Sequence, residues 1–142
     1  MSEIRVLVLG ALGMLGHRLV LALPELGYRV IGTARRGQML TRGPGGLLEL
    51  DAVDQQELFG VLDRTSPHAV VNCIGWVRQR STADSYAEAV HVNAVFPHWL
   101  DQACSQRGTC QGGCKAAAQV CFGSLSAEEP FLRYNRVIAN PL

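Results

Sequence analysis

From Ile4 onward, short apolar runs alternate with amphipathic stretches, separated by glycine, proline or polar breaks. Unbroken apolar runs of strand length suit strands buried on both faces, and an apolar period near 3.6 residues marks a helix lying on a sheet. Residues 4–9 predict a first strand. Leu15, Leu19, Val20 and Leu23 then set an apolar stripe on a helix that Gly27 ends. Residues 28–33 predict a second strand and residues 47–50 a short third, with the glycine-rich segment 37–46 as a loop between them. Asp54 suits the cap of a helix running to about Arg64, which Ser66-Pro67 stops. Ala69-Val-Val-Asn-Cys-Ile74 predicts a fourth strand, followed by a long helix over about 83–106 with a kink at Pro97. This alternation specifies an α/β fold, a doubly wound parallel sheet covered on both faces.

Beyond Gly108 the pattern fades. Thr109 to Lys115 contains no apolar run, residues 117–122 fit either a short strand or a helical turn, and the last stretch, with Pro130 and Pro141, shows no period. The reading is therefore one domain over 1–108, truncated after about four strands, and an atypical tail over 109–142. Unless the tail covers it, the fourth strand leaves an apolar edge open to self-association.

Composition narrows the function classes. With 142 residues, 48% hydrophobic, and a net charge of +1, the chain can bury one core. No basic run points to a nucleic acid or a polybasic membrane contact. The apolar N-terminus resembles a signal peptide poorly, because Glu3 leads it, glycines interrupt it and His17-Arg18 closes it. A cytoplasmic protein is expected. The five cysteines form an odd set without C-x-x-C, which fits reduced thiols better than a disulfide framework. Cys110, Cys114 and Cys121 cluster but match no zinc spacing, so no metal is expected.

Gly10-Ala-Leu-Gly13-Met-Leu-Gly16 joins the first strand to the first helix. A strand ending in glycine lets the backbone turn sharply and approach a pyrophosphate, and the following helix aims its free N–H groups at that charge. Gly16 allows close packing of helix on strand. The spacing G-x-x-G-x-x-G departs from G-x-G-x-x-G, and an ordinary strand-to-helix turn is the plain alternative. Where an NAD site usually places an acid at the end of the second strand, this chain has Ala34-Arg35-Arg36. A guanidinium forks onto phosphate, so Arg35 and Arg36 favour NADP over NAD, unless they form a solvated pair. Arg78, Gln79 and Arg80 suit either a diphosphate contact or a solvated loop. His17, His68, His91 and His98 share no spacing with a carboxylate, and Trp76 and Trp99 read as packing residues.

Val6 to Gly16, Asp51, Val70-Val-Asn-Cys-Ile-Gly75 and Val92-Asn93-Ala94, in this order, resemble the extended short-chain dehydrogenase/reductase family. Among its branches the chain most resembles the dTDP-4-dehydrorhamnose reductase type of sugar-nucleotide reductase, and the resemblance covers roughly residues 3–108. The resemblance implies a Rossmann-type NAD(P)-binding fold and a nucleotide-sugar substrate. It assigns Gly10, Gly13 and Gly16 to the pyrophosphate, with backbone contacts from Leu12 and Met14. Asp51 would accept from the adenine amino group, Val53 would lie near that ring, and helix capping is the alternative for Asp51. Asn72, Ile74 and Gly75 would pass under the ribose and nicotinamide, and Asn93 would hold the helix and a water near the active site.

Family members use a tyrosine as general acid with a lysine four residues later. Here the residues four after Tyr28, Tyr86 and Tyr134 are Gly32, Val90 and Ile138. Lysine occurs once, at Lys115, four residues after Gln111. A tyrosine without that cation is a poor proton donor at neutral pH. The family's fifth strand and its catalytic Ser or Thr are not recognisable either. The abrupt change near Gly108 suggests truncation or a shifted reading frame, and three readings stand: a sugar-nucleotide reductase by descent that lacks the catalytic pair, a non-catalytic dinucleotide-binding module, or an inactive fragment.

Overall fold

The computed structural model describes residues 4–37, 46–76 and 85–106, and the backbone of 116–119. Its strands are β1 (Arg5–Leu9), β2 (Arg29–Ala34), β3 (Leu47–Glu49), β4 (Ala69–Asn72) and β5 (Ala116–Gln119). They form one parallel sheet in the order β3-β2-β1-β4-β5. The helices are α1 (Met14–Glu25), α2 (Gln55–Thr65), α3 (Ser85–Val90) and α4 (Phe96–Gln106), with a π-helical turn over His91–Val95 joining the last two.

Alternation along β1 divides the core. Val6 and Val8 join Ala11, Val20 and Val30 in the layer beneath α1. Leu7 and Leu9 face the opposite layer, built with Leu58, Val61 and Leu62 of α2 and Phe96 and Leu100 of α4. Both faces of the central strands are thus dry, which explains their unbroken apolar sequence.

The helix ends follow local chemistry. Asp54 caps α2 by accepting from the Gln56 and Glu57 N–H groups at 2.8 and 3.1 Å. Ser66, with φ 40°, closes that helix. In α1, Gly27 N–H reaches the Pro24 carbonyl at 3.0 Å and Tyr28 N–H the Leu23 carbonyl at 3.2 Å, ending the helix at Glu25.

Two expectations need correction. The tail supplies a fifth strand, so the sheet does not stop at four. β5 pairs Ala69 to Asn72 with Ala116 to Gln119 and covers the β4 edge, which would stand open only without a strand from the tail. Its Ala-Ala-Ala-Gln sequence has little strand propensity of its own, and the waiting ladder of β4 supplies what the side chains do not. The expected kink at Pro97 is a widened turn. Proline has no N–H for the Asn93 carbonyl and its ring crowds that oxygen, and the chain answers with the π-helical turn just before it, where Phe96 N–H reaches back to the His91 carbonyl.

Candidate functional site

The C-terminal ends of β1, β2 and β4 meet at the turn after β1. Gly10 leaves β1 with φ +79°, and a Cβ there would stand 3.1 Å from the Cys73 carbonyl group and from Ile74. Gly16 is tighter: its Cβ would lie 2.0 Å from the Gly10 carbonyl oxygen. The first turn of α1 is therefore pressed against the loop backbone, a packing that a side chain would prevent. Neighbouring strands fix the loop from both sides. Ala11 N–H donates to the Thr33 carbonyl at 2.8 Å, Gly10 N–H meets Thr33 Oγ1 at 3.3 Å, and Cys73 N–H donates to the Leu9 carbonyl at 2.8 Å.

Gly13 occupies the N-cap of α1 and offers no side-chain acceptor, and the first turn holds no acid. The positive helix end thus faces outward, flanked by half-buried Leu12 and by Met14, which is 88% exposed. An anion is the complement that such an end lacks.

On the β4 side, Asn72 is buried and its Oδ1 accepts from Ile74 N–H at 3.0 Å. Its Nδ2 is buried and meets no acceptor among the described residues. Ile74 is half-buried against the core and Gly75 is exposed. Asn93, in the π-helical turn, holds the following backbone at two points. Its Oδ1 accepts from Trp76 N–H at 2.8 Å, and its Nδ2 donates to the Trp76 carbonyl at 3.0 Å. Trp76 and Trp99 pack against the larger core layer, and the His91 ring meets Trp99 edge-on at 4.7 Å. His68 Nδ1 accepts from Arg5 N–H at 3.0 Å, a structural use. Burial pushes the Cys73 thiol up to about 11.

At the far end of β2 lies an open depression lined by Arg36, Asp51, Val53, Asp54, Gln55, Gln56, Glu57 and Trp99. Asp51 is not the helix cap, since Asp54 takes that part. Asp51 instead turns its Oδ1 onto Val53 N–H at 3.1 Å, and Val53 stands 45% exposed beside it. The two arginines expected to await a phosphate are both occupied. Arg35 Nη2 lies 3.3 Å from Glu88 Oε1, with its guanidinium 5.7 Å over the Trp76 ring. Arg36 pairs with Glu57 and stands 3.9 Å from Glu49. Glu57 is held below the usual carboxylate range, first by accepting from Asp51 N–H and then by Arg36. Sequence reasoning passed over Glu57 and Glu88, and only the acid at the third position of α2 carried a readable signal, as part of a capping pattern.

The loop glycines, Asp51, Val53, Asn72, Ile74, Gly75 and Asn93 thus lie along one edge of the sheet, at the ends of the strands. Arg78, Gln79, Arg80, Cys110, Cys114 and Cys121 fall outside the described residues. Among the described residues no group of three or more His, Cys, Asp or Glu could hold a metal, and no helix is long and apolar enough to cross a membrane.

Known proteins share this fold. A dTDP-4-keto-6-deoxy-D-glucose reductase of Streptomyces niveus is 32% identical over 103 residues, 72% of this chain and 32% of the relative. WbmG of Bordetella bronchiseptica, solved in complex with NAD, superposes with a TM-score of 0.67 at 20% identity over 83% of this chain and 37% of that one. UDP-glucose 4-epimerase from Brucella ovis, also with NAD, gives a TM-score of 0.62 at 22% identity over 73% of this chain and 33% of that one. The chain therefore spans about a third of the length of these relatives. The model of the NAD dependent epimerase/dehydratase family matches residues 6–123, and the chain belongs to that family.

Proposed function

We propose that this chain holds a nicotinamide dinucleotide along the ends of β2, β1 and β4, and that it is the cofactor-binding part of a sugar-nucleotide reductase of the dTDP-4-keto sugar type. The observation that carries the reading is the glycine cradle, in which the Cβ position of Gly16 is filled by the Gly10 carbonyl below an uncapped helix end. The residues present fit the cofactor. The backbone of Gly10 to Gly16, with Leu12 and Met14, takes the pyrophosphate. Asp51 and Val53 take the adenine, and the Arg35–Arg36 corner borders its ribose. Asn72 Nδ2, buried without an acceptor among the described residues, faces the nicotinamide half with Ile74 and Gly75. Asn93 positions this segment through Trp76.

A bound nicotinamide supplies or accepts hydride, and the nucleotide-sugar substrate is proposed from the Streptomyces niveus relative. Proton transfer at the keto oxygen is a different matter. These 142 residues contain no Tyr-x-x-x-Lys, so the chain by itself binds without reducing. The test is a melting-temperature titration of the full chain with NADH and NADPH, followed by an assay for cofactor consumption with a dTDP-4-keto sugar. Stabilisation that grows with the logarithm of dinucleotide concentration, without turnover, is expected. A flat melting curve with both dinucleotides overturns the binding reading, and turnover overturns the non-catalytic one.

A further inference from the structure

Among the described residues, the corner where a ribose 2′ substituent would lie contains one guanidinium and several carboxylates. Glu57 is the fixed member of this group. It occupies the third position of α2, where the helix end favours a carboxylate, and its Oε2 accepts from Asp51 N–H at 2.8 Å. Its side chain is 22% exposed, against 72% for Arg36, so the long arginine folds onto the anchored acid. Glu49 stands 3.9 Å from the same guanidinium, and Asp51 and Asp54 line the same depression. The described side chains of the corner are therefore negative in sum. A phosphate dianion placed there meets repulsion, and Arg36 can fork onto it only by leaving Glu57. A ribose hydroxyl has no such cost and can donate to a carboxylate. Arg35 is drawn instead towards Glu88 and Trp76.

We infer that Glu57 is a specificity-determining residue: by retaining Arg36 it disfavours a 2′-phosphate and turns the site towards NAD(H) over NADP(H). This rests on the dinucleotide reading proposed above. The arginine pair taken alone pointed the other way, because the linear sequence does not show which acids fold back upon it.

The experiment is calorimetric titration of the full chain with NADH and NADPH at one ionic strength. The native chain is compared with Glu57→Gln, Glu57→Ala and the double variant Glu57→Gln/Arg36→Met. The glutamine keeps an oxygen for Asp51 N–H while releasing Arg36, and the alanine variant guards against a peculiarity of either substitution. The native chain is expected to favour NADH. Each single variant is expected to lower the Kd for NADPH relative to NADH about tenfold, and the double variant to restore the native ratio. A native preference for NADPH, or a ratio unmoved in both single variants, overturns the role of Glu57 while the dinucleotide reading stands. Native chain that binds neither dinucleotide overturns that reading and this inference with it.

Discussion

At the scale of single residues, the site is decided by contacts too close to admit one more atom. Gly16 and Gly13 lie in the same loop yet differ sharply in this respect. A Cβ on Gly16 would stand 2.0 Å from a backbone oxygen, whereas on Gly13 its nearest contact is 3.4 Å. Backbone cannot rotate aside as a side-chain tip can, so Gly16→Ala is expected to destabilise the fold by about 2–3 kcal/mol and to abolish dinucleotide binding. Gly13→Ala puts a poorer residue at the N-cap but meets no clash, and is expected to cost only about 0.5–1 kcal/mol. Urea unfolding of the two variants measures the contrast, and equal losses would mean that the close approach is not what the loop requires. Cys73 offers a second residue-scale outcome. A thiol raised to about 11 by burial holds very little thiolate near neutrality. Site-resolved alkylation at pH 8 is expected to be roughly a hundredfold slower at Cys73 than for a free thiol. Glu57, held below its ordinary range, contributes stability that is complete above the carboxylate range and is lost as the pH falls through its folded value. Acid titration of Glu57→Gln should accordingly show a shallower loss of stability than the native chain.

Elements show how far the sequence could be read. Strands β1 and β4 were legible because burial on both faces leaves a nearly unbroken apolar run, and α2 because Asp54 and Ser66-Pro67 mark its ends. The glycine loop was legible for a related reason, since only glycine tolerates the geometry at Gly10 and Gly16. What stayed hidden depended on distant partners. Local sequence marks Glu57 at most as a capping acid and Glu88 not at all, and their pairing comes from arginines 21 and 53 positions away in the chain. Likewise, a proline signals a disturbed helix but not the π-helical turn that accommodates it. That turn carries Asn93, whose amide holds the Trp76 backbone at both its N–H and its carbonyl. Asn93→Ala is expected to cost about 0.5–1.5 kcal/mol, because the Trp76 groups it releases lie near the surface and can turn to water. It should also shift tryptophan emission to the red as the segment after β4 loosens. A variant with native stability and native emission would show that the clamp is dispensable.

For the whole molecule, the decisive joint is the one between β4 and β5. A doubly wound sheet without β5 would end on β4, whose Val70 is fully buried and whose free ladder would invite another chain. The short strand Ala116–Gln119 closes that edge with little side-chain substance, so its contribution rests on backbone hydrogen bonds and on the seat it occupies beside α4. Such a strand is easily displaced. Neighbouring N–H groups on a strand point to opposite sides, so Ala117→Pro/Ala118→Pro removes a ladder donor whichever of the two faces β4. The double variant is expected to release β5 and expose β4, appearing as dimers or larger species in size-exclusion chromatography with light scattering. The glycine loop lies beyond β1, on the other side of β4, and its hydrogen bonds to Thr33 and its packing against Cys73 involve no atom of β5. Dinucleotide-induced stabilisation should therefore persist in whatever monomer remains. A monodisperse variant that melts as the native chain does would show that β5 does not guard the edge, and β4 would then have to be protected by its own short length.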